Sequence, residues 1–134
     1  MKILADTHIL IWMITADKTL PEEARELLED EHNVVYYSTA SIWEIEIKSM
    51  IRPEEMLMTG MELADFCEQA GYHELPLRKE HVRMLHTLHR EEDAPVHKDP
   101  FDRIMIAQTK AEGMVFVTHD SLMPYYHENC IRMV

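Results

Sequence analysis

Three short runs of this chain are apolar almost throughout: "KILA" (2–5), the β-branched and aromatic "VVYYS" (34–38), and "MVFVT" (114–118). A strand without polar alternation must be covered on both faces, the condition met in parallel sheets. Between these runs lie segments with helical spacing, at 8–14, 20–30, 38–50, 60–71, 78–90 and 100–113. Strand and helix therefore alternate, which predicts a three-layer α/β fold: a central parallel sheet of four or five strands with helices on both faces. "HELPL" (73–77) and "IRMV" (131–134) supply the shorter strands, and "DSLMPYY" (120–126) a short helix or turn. Punctuation agrees with this reading. Ser38 and Thr39 open the third helix, Gly71 closes the fourth, and Pro100 and Gly113 bracket the last. Ile42, Ile45 and Met50 form the expected apolar stripe of 38–50, and Val82, Leu85 and Leu88 that of 78–90. With 134 residues, three glycines (60, 71 and 113), no internal repeat and no low-complexity linker, residues 1–134 read as one domain.

In open parallel sheets, ligands gather beyond the carboxyl ends of the strands. Asp6 follows the first strand and Asp120 follows "MVFVTH". In "HKDPFDR" (97–103), Asp99 and Asp102 stand three apart at the start of a helix, a spacing that places them on one face. Glu44 lies inside the "SIWEIEIK" helix, with Glu46 as its competitor beside the same stripe. Carboxylates converging in this way suit Mg²⁺ or Mn²⁺, hard cations that take oxygen ligands. Each acid also has a purely structural use. Asp99 before Pro100 is an N-cap with Asp102 at the capping-box position, Asp6 fits a turn, and Asp120 can cap the short helix after it. Capping and ligation are compatible, because a helix N-terminus favours negative charge.

The net charge of −12 argues against a generic nucleic-acid binder, which is usually basic. That argument weakens at a metal site, where bound cations reverse the local sign. Acids remain in excess when the five nominated residues are set aside, so the acidity is global and suits a basic partner. Lys98 and Arg103 beside the acids, and the face carrying Arg78, Lys79, Arg83 and Arg90, are the candidate phosphate contacts. No apolar run approaches a membrane span and the first residues lack a cleavage site, so no membrane association and a cytoplasmic location are expected. Cys67 and Cys130 are expected to stay reduced. His86 and His89 do not complete a tetrahedral zinc set.

Together, "LADTHILIWMI", "YYSTASIWEIEIKSM" and "DPFDRIMIAQTKAEGMVFVTHD" resemble, in order and spacing from residue 3 to about 121, a PIN-domain protein of the VapC type. VapC proteins are the toxin halves of bacterial and archaeal toxin–antitoxin pairs. The resemblance implies a PIN-like fold and a Mg²⁺- or Mn²⁺-dependent endoribonuclease that hydrolyses phosphodiesters with no protein nucleophile, leaving 5′-phosphate and 3′-hydroxyl ends. Carried over as catalytic and metal-binding acids, Asp6 is the first, Glu44 the acid of the "WEI" helix, Asp99 and Asp102 both candidates for the third position, and Asp120 a fourth, more variable one. Glu44 is thereby favoured over Glu46, and Thr7 and Thr118 are supporting hydroxyls. A homodimer and a cognate antitoxin partner are implied as well. The stretch "IKSMIRPEEMLM" departs from the basic, glycine-containing run more usual after "WEI". Two other readings are a PIN-like module that binds RNA or protein without cutting, and a metal-dependent phosphatase of small molecules. Intact acids at four positions favour the nuclease.

Overall fold

The computed structural model describes residues Met1–Val134. Strands β1 (Lys2–Ala5), β2 (Val34–Ser38), β3 (His73–Leu75), β4 (Val115–Thr118) and β5 (Ile131–Met133) form one sheet in the order β3-β2-β1-β4-β5. Every neighbouring pair is parallel; Ile3 is registered with both Val35 and Val115, and Val117 with Arg132. Helices α1 (Thr7–Ile14), α2 (Glu22–Glu29), α3 (Thr39–Ile51), α4 (Gly60–Gln69), α5 (Lys79–Met84) and α6 (Pro100–Glu112) make the connections. The expected α/β sheet, with five strands, is the observed one.

Two cores lie on opposite faces of this sheet. Leu4, Phe116 and Tyr36 pack with Ile104, Met105 and Ala107 of α6, whereas Ala5, Val35 and Tyr37 pack with Ile9, Leu10, Ala24, Leu28, Leu63 and Cys67 of α1, α2 and α4. Successive strand residues point to opposite faces, so each central strand needs apolar residues at consecutive positions. That is why these runs do not alternate. Between the layers, Gln108 is fully buried; its Oε1 accepts from Ser38 Oγ and its Nε2 donates to the Leu75 carbonyl at 3.3 Å. One amide thus ties α6 to the ends of β2 and β3, satisfied as a buried polar group must be.

Caps set the helix starts. The Asp6 side chain accepts the Thr7 amide of α1, the Ser38 side chain accepts the Ala40 amide of α3, and Thr59 and Glu62 form a reciprocal capping box on α4. Gly113 ends α6 in the left-handed conformation (φ 67°). Gly60 has a different task. A Cβ there would lie 2.2 Å from the Ile42 carbonyl oxygen and 2.8 Å from Glu46 Cβ, so α4 begins directly against α3. Gly60→Ala is expected to destabilise the fold by about 1–3 kcal/mol through overpacking; urea unfolding measures this, with a midpoint equal to wild type as the contrary result.

The structure corrects two helical stripes. Met50 is exposed at the end of α3. The segment 78–90 is helical only to Met84, continues as one 3₁₀ turn over Leu85–Thr87, and leaves Val82 exposed. His81 takes the inward position, its Nδ1 accepting the Arg78 amide (3.0 Å) and its Nε2 facing Glu112 (2.8 Å). A buried histidine satisfied at both nitrogens rotates the helix away from the stripe that hydrophobicity alone predicts.

Candidate active site

The strand order places β1 beside β4, where the direction of chain progression reverses. Such a switch point opens a crevice beyond the strand ends. Asp6 and Thr118 sit there, with the Asp6 amide donating to the Val117 carbonyl at 3.0 Å. The buried Asp6 carboxylate is held at both oxygens: Oδ1 accepts the Thr7 amide at 2.7 Å and Oδ2 accepts Thr118 Oγ1 at 2.6 Å. Burial pushes its pKa up; hydrogen bonds from Thr118 and Thr7 and the nearness of His8 pull the other way, while Glu44 adds to the rise.

Thr7 extends the network. Its Oγ1 donates to Glu44 Oε1 at 2.9 Å and lies 2.8 Å from Ser41 Oγ. Glu44 is only 2% exposed, and its Oε2 accepts from Lys48 Nζ at 2.7 Å. Glu46 goes elsewhere: its Oε1 accepts the Gly60 amide, at the start of α4. Helix phase thus sends two glutamates two residues apart in different directions.

The "HKDPFDR" acids divide their tasks. Asp99 is the N-cap of α6, its Oδ1 accepting the amides of Phe101 (2.9 Å) and Asp102 (3.3 Å). Asp102 does not complete a capping box; its Oδ2 faces His97 Nε2 at 3.1 Å. Burial, followed by the negative charges of Asp6, Asp99, Glu44 and Asp120, pushes the Asp102 pKa up to about 8. The four other nominated acids therefore all act on Asp102. Asp120 accepts the Leu122 amide at 2.9 Å through Oδ1, and its own amide donates to Thr118 Oγ1 at 3.1 Å.

His97 joins this centre, and sequence reasoning did not nominate it. It is buried, with Nδ1 2.6 Å from the Tyr126 hydroxyl and Nε2 on Asp102. Burial, assisted by Arg90 and Arg103, lowers its pKa against the opposing pull of Asp120 and Asp99. Burial also raises the Tyr126 pKa and keeps the phenol protonated. Once Asp102 is ionised, the neutral imidazole presents Nε2–H to it, and Nδ1 then accepts from the phenol. The only sequence signal was position: His97 opens the segment that carries both acids.

Donor atoms of His97, Asp102 and Asp120 lie within 4.8 Å of one another. Hard carboxylate oxygens predominate at this centre, and their mutual repulsion is what a divalent cation relieves. The residues fit such an ion. His97 is less suited to direct ligation, because both its nitrogens are engaged. Lys98 and Arg103 are exposed, and Arg103 makes no ion pair. His86 and His89 are exposed and outside this centre, and neither cysteine is disulfide-bonded.

The family model of the PIN domain matches residues 3–126, nearly the whole chain. The chain belongs to the PIN-domain family. Among solved structures, this PIN domain is similar to a chain of VapBC2 from Rickettsia felis, determined bound to a DNA fragment from their promoter. The TM-score is 0.65 at 13% identity, over 100% of this chain and 98% of that chain. No curated protein matches the sequence. PIN domains are typically nucleases that use divalent metal, and the acid centre is compatible with that class. No helix of this PIN domain is long and apolar enough to cross a membrane.

Proposed function

We propose that this PIN domain is a Mg²⁺- or Mn²⁺-dependent endoribonuclease, the toxin of a toxin–antitoxin pair acting in the cytoplasm. The observation that carries the reading is the convergence of Asp102, Asp120 and His97, whose donor atoms lie within 4.8 Å of one another, with the charges of Asp6, Asp99 and Glu44 also bearing on Asp102. A fold gains nothing from crowding four acids around a fifth, half-buried one unless positive charge is to be recruited there.

Asp6, Asp102 and Asp120 would hold the cation, with Glu44 and the free oxygen of Asp99 completing the acidic wall. Bound there, a divalent cation lowers the pKa of water and offsets charge on the phosphate and leaving oxygen. The chain itself supplies orientation. Thr118 and the Thr7 amide fix Asp6, Thr7 Oγ1 steers Glu44, and His97 holds Asp102. Lys98 and Arg103, exposed and adjacent in sequence to Asp99 and Asp102, would meet a phosphate backbone. His97→Ala is expected to lower cleavage by roughly 10–100-fold, the usual effect of removing a group that orients a ligand. His97→Gln, which can still donate to Asp102, should recover part of it. Isothermal titration with Mn²⁺ gives the corresponding loss of metal affinity, and unchanged affinity and rate in His97→Ala would remove His97 from the mechanism.

An antitoxin and a second copy of the chain are the proposed protein partners. Trp43, Met50, Ile51, Leu57 and Met61 are exposed from α3 to the start of α4. A cleft of about 190 Å³ lined by Ile11, Ile45, Met56, Leu57 and Met58 reaches Glu44 and Lys48. Apolar surface of this kind marks an interaction site, and the net charge of −12 favours a basic segment.

The Lys48–Glu44 ion pair favours the alternative of a non-cleaving module, since it supplies one acid with an internal cation. One assay separates the readings: structured and unstructured RNAs, with phosphate monoesters alongside, incubated with Mg²⁺, Mn²⁺ or EDTA. The nuclease reading expects metal-dependent cutting of RNA alone. Hydrolysis confined to monoesters would make the protein a phosphatase, and inertness with both cations would leave the binder.

A further inference from the structure

Beside the acids lies a feature that hydrolysis does not require. A cleft of about 240 Å³ is lined by five residues: Asp6 and Asp120, and the rings of His8, Trp12 and His119. The three rings form a continuous aromatic wall. His8 and Trp12 are 5.8 Å apart between centroids at 42°, and Trp12 meets His119 edge-on at 5.9 Å and 71°. His8 and Trp12 come from α1, one turn apart and directly after Asp6; His119 lies between Thr118 and Asp120. The His119 ring is anchored by donation from Nδ1 to the Val134 carbonyl. Trp12 is half-buried and both histidines are exposed, so the wall faces open space.

We propose that this cleft stacks an unpaired nucleobase of the RNA substrate, immediately beside the phosphate to be cut, an inference that rests on the nuclease reading. Base stacking on aromatic side chains is the main means by which proteins hold single-stranded RNA, and it is tolerant of sequence because every base has a π-face. It also suits a chain of charge −12. A flat neutral ring gains affinity without the basic surface that this protein lacks, and exocyclic amino groups find carboxylate acceptors at the cleft's edge. A paired base cannot enter. The substrate class is therefore single-stranded RNA, or a loop or splayed end of a folded one.

The test uses the Trp43→Phe protein, in which Trp12 is the sole tryptophan. Its fluorescence is titrated in EDTA with a short methylphosphonate-linked oligonucleotide, which presents bases without backbone charge and cannot be hydrolysed. Saturable quenching is expected, and it should weaken in the exposed His119→Ala; Trp12→Leu, which leaves no tryptophan to quench, is read by cleavage alone. In steady-state cleavage of single-stranded RNA, both variants should raise KM by roughly tenfold with a much smaller change in kcat. Trp12→Phe, which keeps a stacking face, should recover most of the KM that Trp12→Leu loses, and thermal melting identifies any variant lost to misfolding. Metal-dependent cleavage with no quenching and an unchanged KM would overturn the cleft while leaving the nuclease intact. Quenching by an arginine-rich peptide, but not by the oligonucleotide, would assign the cleft to a basic protein segment and equally overturn it. Absence of cleavage with either cation would remove the nuclease reading, and the quenching would still decide whether bases bind.

Discussion

Asp102→Asn is expected to stabilise the metal-free protein and, in the same molecule, to lower RNA cleavage by at least roughly a hundredfold. The two effects have one origin. Burial and four neighbouring carboxylates make the charged form of Asp102 costly, which is why its pKa rises to about 8. Unfolded, the same carboxyl titrates near about 3.9. Between these values the folded protein binds a proton that the unfolded chain does not, so stability must fall as pH rises through that window. Asp6, also raised by burial, acts in the same direction. Melting of wild type in EDTA should therefore show a midpoint that declines from pH 5 to pH 8. Asp102→Asn should flatten that decline and gain about 1–3 kcal/mol at pH 8, roughly 3–10 °C. Mn²⁺ should raise the wild-type midpoint by binding the native state and leave that of Asp102→Asn nearly unmoved. A structural cap would behave oppositely: its replacement would destabilise, and Mn²⁺ would make no difference between the two proteins.

Paired substitutions at Asp6 separate capping from ligation. Asp6→Asn keeps an acceptor for the Thr7 amide, turns an NH₂ toward the Thr118 hydroxyl, which can accept from it, and loses the charge. Asp6→Ala loses both. Both are expected to abolish metal-dependent cleavage, by roughly a hundredfold or more. Only Asp6→Ala should lose stability, by about 1–2 kcal/mol for the cap and about 1 kcal/mol more for the orphaned Thr118 hydroxyl. Denaturant melts beside a cleavage assay read the two axes independently. If Asp6→Asn retained full cleavage, Asp6 would be a cap and nothing more, and the acidic centre would have to be rebuilt around Asp102 and Asp120.

Much of this protein was legible in one dimension because the deciding forces are local. Helix starts at Ser38 and Asp99, the stop at Gly113, and the strand runs around Leu4, Val35 and Phe116 depend on backbone amides and side-chain periodicity within a few residues. The sequence alone placed Asp6 and Asp120 after strands, and Asp99 and Asp102 in one helical turn. It could not order the strands, since parallel pairing joins residues as distant as Ile3 and Val115. Only that pairing sets Asp6 against Thr118 and makes the switch point a site. Nor could it see that His81, and not Val82, faces inward, or that Glu46 turns to Gly60 and leaves Glu44 alone with Thr7 and Lys48. His97 illustrates the boundary best. In the chain it is one histidine of nine; in the fold it links the Tyr126 hydroxyl to the Asp102 carboxylate. Tertiary structure decided its role, because burial, tautomer and the pKa of a neighbouring acid are set by groups 29 residues or more away as well as by those beside it.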